Sequence, residues 1–323
     1  MSKIISVSRR TDIPAFYSEW FSNRISEGFV GYENPFGGQK YVLSLKKEDV
    51  LTYVFWSKNY RPFLGTIDKL NSSGYNAIFN YTITGLPKIF ECNLAHYDDT
   101  IDSLKEISRM FSPEHINWRY DPIVISTITP VDFHVQKFTE LCEKLTSYVY
   151  RCYFSFAIMY GKVERNFKEF QIRNKISISD PSKEFRIELA NKLAKIAAKY
   201  GIKMFTCCGD YLINNEITKA HCIDGNIVSN LFFKGQTQCA EKPTRKECGC
   251  SESTDIGKYN TCPHGCIYCY ANVNKMSASN NFKTHDNDSV FLGYSREQSE
   301  QFIANFKFPV KNKIDNIQMK LDL

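Results

Sequence analysis

The stretch TCPHGCIYCYAN, residues 261–272, sets Cys262, Cys266 and Cys269 in a C-x3-C-x2-C pattern. Thiolates are the usual ligands of iron–sulfur clusters. Three of them on one short loop can reach one face of a four-iron cube. That leaves one iron open to a substrate or cosubstrate. Gly265 gives the backbone the freedom to turn around the sulfurs, and Tyr268 and Tyr270 flank Cys269 as a shield against water.

Nine of the 12 cysteines fall between Cys207 and Cys269. Cys248-Gly-Cys250 stands just upstream of the loop, and Cys207, Cys208 and Cys222 precede it. Cys207 or Cys208, with Cys222, Cys248 and Cys250, forms a candidate set for a second metal. The alternative is that Cys207 and Cys222 are buried thiols and one cluster exists. A structural zinc site competes for the main loop, with His264 as a further ligand. Zinc sites usually draw on two C-x2-C-like pairs, and the chain offers one, Cys266/Cys269. The other histidines show no metal-binding spacing. Cys92, Cys142 and Cys152 are scattered and read as small buried hydrophobes.

Something must carry these thiols. Residues 3–7, 51–55, 77–81, 115–118, 152–156 and 202–206 are short runs rich in β-branched and aromatic side chains, the pattern of buried parallel strands. Residues 182–200 put Phe185, Leu189, Leu193, Ile196 and Ala197 on one helical stripe, stopped by Gly201. Strand and helix in alternation predict an α/β fold, a complete or partial (β/α) barrel over residues 1–235. Residues 236–290 are poor in apolar side chains and rich in Gly, Pro, Ser, Thr and Lys. Such a segment needs outside help to order, which metal binding to thiolates supplies. Residues 291–323 regain apolar character and are expected to pack back on the barrel.

In a (β/α) barrel the chemistry sits at the C-terminal ends of the strands. Arg9, Arg10 and Asp12 follow the first run, Lys58 and Asn59 the second, Thr82 and Thr84 the third, Arg119 and Asp121 the fourth, and Asp210 the last. Arg9, Arg10, Lys58 and Arg119 together make a positive cavity suited to a carboxylate or phosphate. Asp12 and Asp121 would hold the arginines or a ribose hydroxyl. The competing reading makes Arg10/Asp12 and Arg119/Asp121 structural ion pairs. Trp56 and Trp118 are candidates for stacking on a base, or for packing between sheet and helices.

The formal charge of +6 is a mild excess that demands neither nucleic acid nor an acidic partner. The basic trio Lys242, Arg245 and Lys246 is either a solvated loop or a docking surface. The N-terminal MSKIISVSRR is not a secretory signal, and no apolar run is long enough to span a membrane. A cytoplasmic location is expected. P-loop, GxSxG and HExxH motifs are absent.

Cys262-x3-Cys266-x2-Cys269, with Tyr268 before the last cysteine, resembles the cluster motif of radical S-adenosylmethionine (SAM) enzymes. That resemblance implies a [4Fe-4S] cluster whose open iron chelates SAM, cleavage of SAM to a 5′-deoxyadenosyl radical, and a reductant such as flavodoxin or ferredoxin. Those enzymes carry the motif near the start of their barrel; here it comes near the end, and the one double glycine, Gly37-Gly38, is followed by Gln39 rather than Glu. The stretch CGCSESTDIGKYNTCPHGCIYCYAN, with SRRTDIPAFY, FWSKN and WRYDPI, also resembles an uncharacterised prokaryotic family, a domain of unknown function. Two functions follow as expectations. The first is a radical-SAM-like enzyme acting on an anionic substrate, a small molecule or a nucleic acid. The second is a nucleic-acid-binding or sensing protein with a structural zinc or iron–sulfur site.

Overall fold

The computed structural model describes residues 2–95 and 97–305. Eight parallel strands form one sheet: β1 (Lys3–Val7), β2 (Val50–Ser57), β3 (Ala77–Thr82), β4 (Ile116–Ile123), β5 (Arg151–Phe156), β6 (Lys203–Thr206), β7 (Ile217–Lys219) and β8 (Thr254–Asp255). Their spatial order runs from β7 back through β6, β5, β4, β3, β2 and β1 to β8. Sequence neighbours are therefore spatial neighbours, and the last strand returns beside the first. That is the strand order of a (β/α) barrel, with no pairing between β7 and β8 among the described residues.

Alternation along the strands sorts side chains to two faces. Ile5, Val7, Tyr53, Phe55, Phe79, Tyr81, Trp118, Tyr120 and Phe154 point outward into the main core. They meet the buried stripes of α1 (Ser18–Glu27), α2 (Leu64–Ser72), α3 (Tyr97–Met110), α4 (Val131–Leu145) and α6 (Lys183–Lys199). The Ser182 hydroxyl accepts the Phe185 N–H at 3.2 Å and starts α6, as its pattern predicts. Ile4, Val54, Ile78 and Tyr153 point inward, where Val228 of α7 (Gly225–Phe233) covers them. A helix that in a closed barrel would lie outside thus fills the inner face.

The fifth helix, α5 (Gly161–Asn174), packs elsewhere. Its Val163, Phe167 and Phe170 join Leu86, Phe90 and Ile267 in a satellite core at the strands' C-terminal ends. This core clamps the loop after β3 to the cysteine loop.

The six predicted strands are present, with β4 running five residues past its predicted end at 118. β7 and β8 are additions. Residues 236–290 depart from expectation in one respect: they supply β8, whose Thr254 and Asp255 pair with Ile5 and Ser6. They also supply α8 (Lys275–Lys283). Of the tail, α9 (Arg296–Asn305) is described, and Val290, Phe291 and Tyr294 form a small core. The expected packing of residues 306–323 lies outside the described residues. No described helix is long and apolar enough to cross a membrane.

Candidate functional site at the barrel mouth

Asp255 organises one side of the mouth. Its carboxylate accepts hydrogen bonds from Ser6 Oγ (2.8 Å), Ser8 Oγ (2.6 Å), the Arg9 N–H (2.8 Å), Arg10 Nε (3.1 Å) and the Gly257 N–H (3.0 Å). Burial opposes its ionisation, but Arg10 and these donors hold it below the usual carboxylate range. The remaining Arg10 donors reach the carbonyls of Asp255 and Glu33. Arg10 is thus engaged by β8 and not by Asp12, contrary to the expected Arg10/Asp12 pair.

Asp12 instead ties the first strand to the cysteine loop. Its Oδ1 caps the Ile13–Phe16 turn at the Ala15 N–H and accepts Ser57 Oγ at 2.6 Å. Its Oδ2 accepts the Lys58 N–H at 2.8 Å and lies 2.7 Å from His264 Nε2. The His264 ring packs edge-on against Phe16 at 4.6 Å.

The cysteine loop is fixed at both ends. Asn93 Nδ2 donates to the Pro263 carbonyl at 2.8 Å, the Ile267 N–H to the Phe90 carbonyl at 3.0 Å, and Asn272 Nδ2 to the Cys262 carbonyl at 2.7 Å. Gly265 turns at φ +72°, and a Cβ there would sit 2.7 Å from Cys92 Sγ. Cys92 is therefore not a buried hydrophobe; it is exposed and faces this loop, whereas Cys142 and Cys152 are buried as expected. Backbone N–H groups are directed at the loop sulfurs: His264 at Cys262, and Asn272 and Ala271 at Cys269.

Beside Cys266 lies a buried pair absent from the sequence reading. Lys58 Nζ meets Glu91 Oε1 at 2.7 Å. Glu91 also accepts Thr84 Oγ1 at 3.2 Å and the Tyr268 hydroxyl. Burial works against a charged Lys58, but Glu91, Cys266 and Asp121 keep it protonated above its ordinary range. Burial raises the thiols of Cys262 and Cys269 and pushes Cys266 up to about 12 despite Lys58.

Across the mouth, Arg119 pairs with Asp121, which also accepts Ser155 Oγ. The second predicted ion pair is therefore present. Arg119 Nη1 also donates to Cys222 Sγ at 3.1 Å. Trp56 stands between the halves, with the Arg9 and Arg119 guanidinium carbons 5.5 and 5.1 Å from its ring. Trp118 is fully buried in the core, its indole N–H on the Ile83 carbonyl. Tyr270 closes this side with its hydroxyl on the Arg9 carbonyl at 2.7 Å.

Cys207, Cys208, Cys222, Cys248 and Cys250 form a second thiol group. Cys207 and Cys222 sulfurs are 3.3 Å apart, and Cys222 also contacts Cys250. Arg245 donates to Cys208 at 2.9 Å and Cys207 at 3.5 Å. Lys242 pairs with Glu252, so two of the three basic side chains proposed as a docking patch have partners within the chain. Among the predicted strand-end residues, Asp210 stays apart, paired with Lys219, and Asn59 accepts the Arg61 N–H. Among the described residues no three His, Cys, Asp or Glu side chains converge as ligands of one metal ion.

Four buried polar atoms of the mouth lack a partner: Arg9 Nε, Thr11 Oγ1, His264 Nδ1 and Asn272 Oδ1. All lie on the loop after β1 or on the cysteine loop. No curated protein and no solved structure matches the chain. A family model described as a domain of unknown function matches residues 4–271, from the first strand to two residues past Cys269, so the chain belongs to that family, DUF1848.

Proposed function

We propose that the protein is an iron–sulfur enzyme with radical-SAM-like chemistry, acting on an anionic substrate at the barrel mouth. Cys262, Cys266 and Cys269 would hold a [4Fe-4S] cluster. Such a cluster would supply the electron that reductive cleavage of SAM requires. The observation that carries the reading is the pair of unpartnered polar atoms on the cysteine loop itself, His264 Nδ1 and Asn272 Oδ1. Each such buried group costs about 1–3 kcal/mol when unmet, and a polar ligand on the loop relieves that cost.

Three thiols on one loop suit a cube, and no three described side chains meet as ligands of a single ion. Ligands of one zinc must meet about 2.3 Å from a common point, whereas those of a cube bind separate irons. Backbone N–H groups on Cys262 and Cys269 suit bridged thiolates, since hydrogen bonds to the sulfurs tune such clusters.

The chain's own residues divide the remaining work. Lys58 places a positive charge beside Cys266, and Glu91 keeps that charge oriented. Asp12 holds His264 and thereby the loop. Arg9 has a free Nε and lies over Trp56, so it is the residue best able to receive a carboxylate or phosphate. Arg119 and Asp121 form the opposite wall. Arg10, engaged by Asp255, shapes the mouth without facing a ligand. A flavodoxin or ferredoxin would deliver the electron.

The test is reductive cleavage. Protein reconstituted with iron and sulfide without oxygen, then given dithionite and SAM, should release 5′-deoxyadenosine, and Cys266→Ala should release none. An intact, reducible cluster that yields no 5′-deoxyadenosine would refute the reading.

A further inference from the structure

The second thiol group is assembled from two loops at the C-terminal ends of strands and from the segment that enters β8. Cys207 and Cys208 follow β6, Cys222 follows β7, and Cys248 and Cys250 stand on the loop entering β8. None of the five is in a disulfide. Cys207, Cys222 and Cys250 are buried, while Cys208 and Cys248 are half-buried above them. The backbone is shaped to bring them together. Cys208 sits in the left-handed region at φ +55°, a conformation that few residues other than glycine adopt. Between Cys248 and Cys250, a Cβ on Gly249 would meet the His221 ring at 2.7 Å, so a residue without a side chain lets the two thiols flank that ring.

Charge supplies the second argument. Arg119 Nη1 lies 3.1 Å from Cys222 Sγ, and Arg245 aims Nε at Cys208 and Nη2 at Cys207. Among the described residues Arg245 has no carboxylate partner; its remaining contact is the Tyr160 hydroxyl at 2.7 Å. A neutral thiol is a weak acceptor, so two guanidinium groups directed at sulfur call for anionic sulfur. Four thiolates around a divalent ion or a dicationic cluster carry two negative charges in excess; Arg245 offsets one, and Arg119, which shares its charge with Asp121, turns its other guanidinium nitrogen to Cys222. The group therefore has the ligand type, the number and the surrounding charge of a thiolate metal site.

We infer that Cys207, Cys222, Cys248 and Cys250 ligate a second metal centre, a zinc ion or an iron–sulfur cluster, with Cys208 at its rim and Arg119 and Arg245 as the counter-charges. The sulfurs do not converge on one point in this structure; loading closes the three loops onto the metal. Arg119 belongs to both this site and the Trp56 wall, so the second centre borders the wall that Trp56 shares with Arg9.

The centre is independent of the cysteine loop, and its test separates the two. Protein carrying Cys262→Ala, Cys266→Ala and Cys269→Ala, purified without oxygen, should retain one metal centre. Iron with matching sulfide identifies a cluster, and zinc without sulfide identifies an ion. Adding Cys222→Ser and Cys250→Ser should remove it. A metal-free triple variant, or metal that survives the added serines, would overturn the inference. Should either variant fail to fold, wild-type protein answers the question through alkylation mapped by mass spectrometry. Cys207, Cys222 and Cys250 should react at least tenfold faster after chelator treatment. Equal rates before and after, or a Cys207–Cys222 disulfide in the oxygen-free protein, would count against the site.

Discussion

The two thiol groups at the mouth are built on opposite plans. Cys262, Cys266 and Cys269 share one loop, receive backbone N–H groups, and lie beside a lysine and carboxylates. Cys207, Cys208, Cys222, Cys248 and Cys250 come from three loops, touch one another, and are faced by arginines. The consequences for the thiols differ: the loop thiols all move one way, whereas contact between neighbouring sulfurs splits the distributed group, pushing Cys207 and Cys250 up while others fall. Burial holds the loop thiols above their ordinary range. In the distributed group, the Cys207 contact and then Arg245 bring Cys208 down to about 6, and the Cys207 and Cys250 contacts and then Arg119 lower Cys222. A contiguous motif relies on the scaffold beneath it, whereas a distributed one is made by the fold itself.

The largest effect should come from the scaffold of the loop. Glu91→Gln leaves Lys58 buried without its counter-charge, and losing one partner of such a pair costs about 3–5 kcal/mol. Urea unfolding of the metal-free protein measures this, and a loss below 1 kcal/mol would show that the pair behaves as a surface one. Next comes the pair of glycines. Gly265→Ala forces a side chain into the left-handed region, a cost of roughly 1–2 kcal/mol, and drives a Cβ toward Cys92. Iron taken up on anaerobic reconstitution, under the proposed role of the loop, should fall. Gly249→Ala has no such conformational cost and meets only the His221 ring, so its effect on iron in the loop should be absent.

Reactivity gives a finer separation. In metal-free protein Cys208 should be alkylated with a midpoint near pH about 6, its thiolate fraction rising as pH rises through that value. Cys262, Cys266 and Cys269, all raised by burial, should react only at higher pH than an ordinary thiol. Matching profiles would erase the distinction. The smallest effect is expected for Arg245→Gln. Its side chain lies at the exposed rim, so stability should change by no more than about 0.5 kcal/mol, while the Cys208 midpoint moves upward.

What could be read from the sequence follows the same division. Six strands announced themselves through runs such as YVFW and AIFNY, and the stripe from Phe185 to Ala197 marked its helix, because local composition suffices for buried elements. The cysteine spacing was likewise local. β7 and β8 carry too few residues, ITK and TD, for any strand pattern; only pairing with β6 and β1 makes them strands. The partners of Arg10 and Asp12 were misassigned for that reason, since Asp255 and His264 are remote in sequence. Glu91, in the unremarkable stretch FECNL, gave no signal at all. It becomes significant only where a lysine from the next strand over reaches it.

The pairing of β8 with β1 also sets a timetable. Ser8 and Asp255 are 247 residues apart. At about 5–20 residues per second of synthesis, the second emerges roughly 12–50 s after the first. Until then Arg10 has no counter-ion and one edge of β1 has no neighbour, so a nascent chain bears an unpaired margin for most of its time on the ribosome. The cysteine loop follows seven residues behind Asp255, which makes closure of that margin and the emergence of Cys262 consecutive events in the same brief interval.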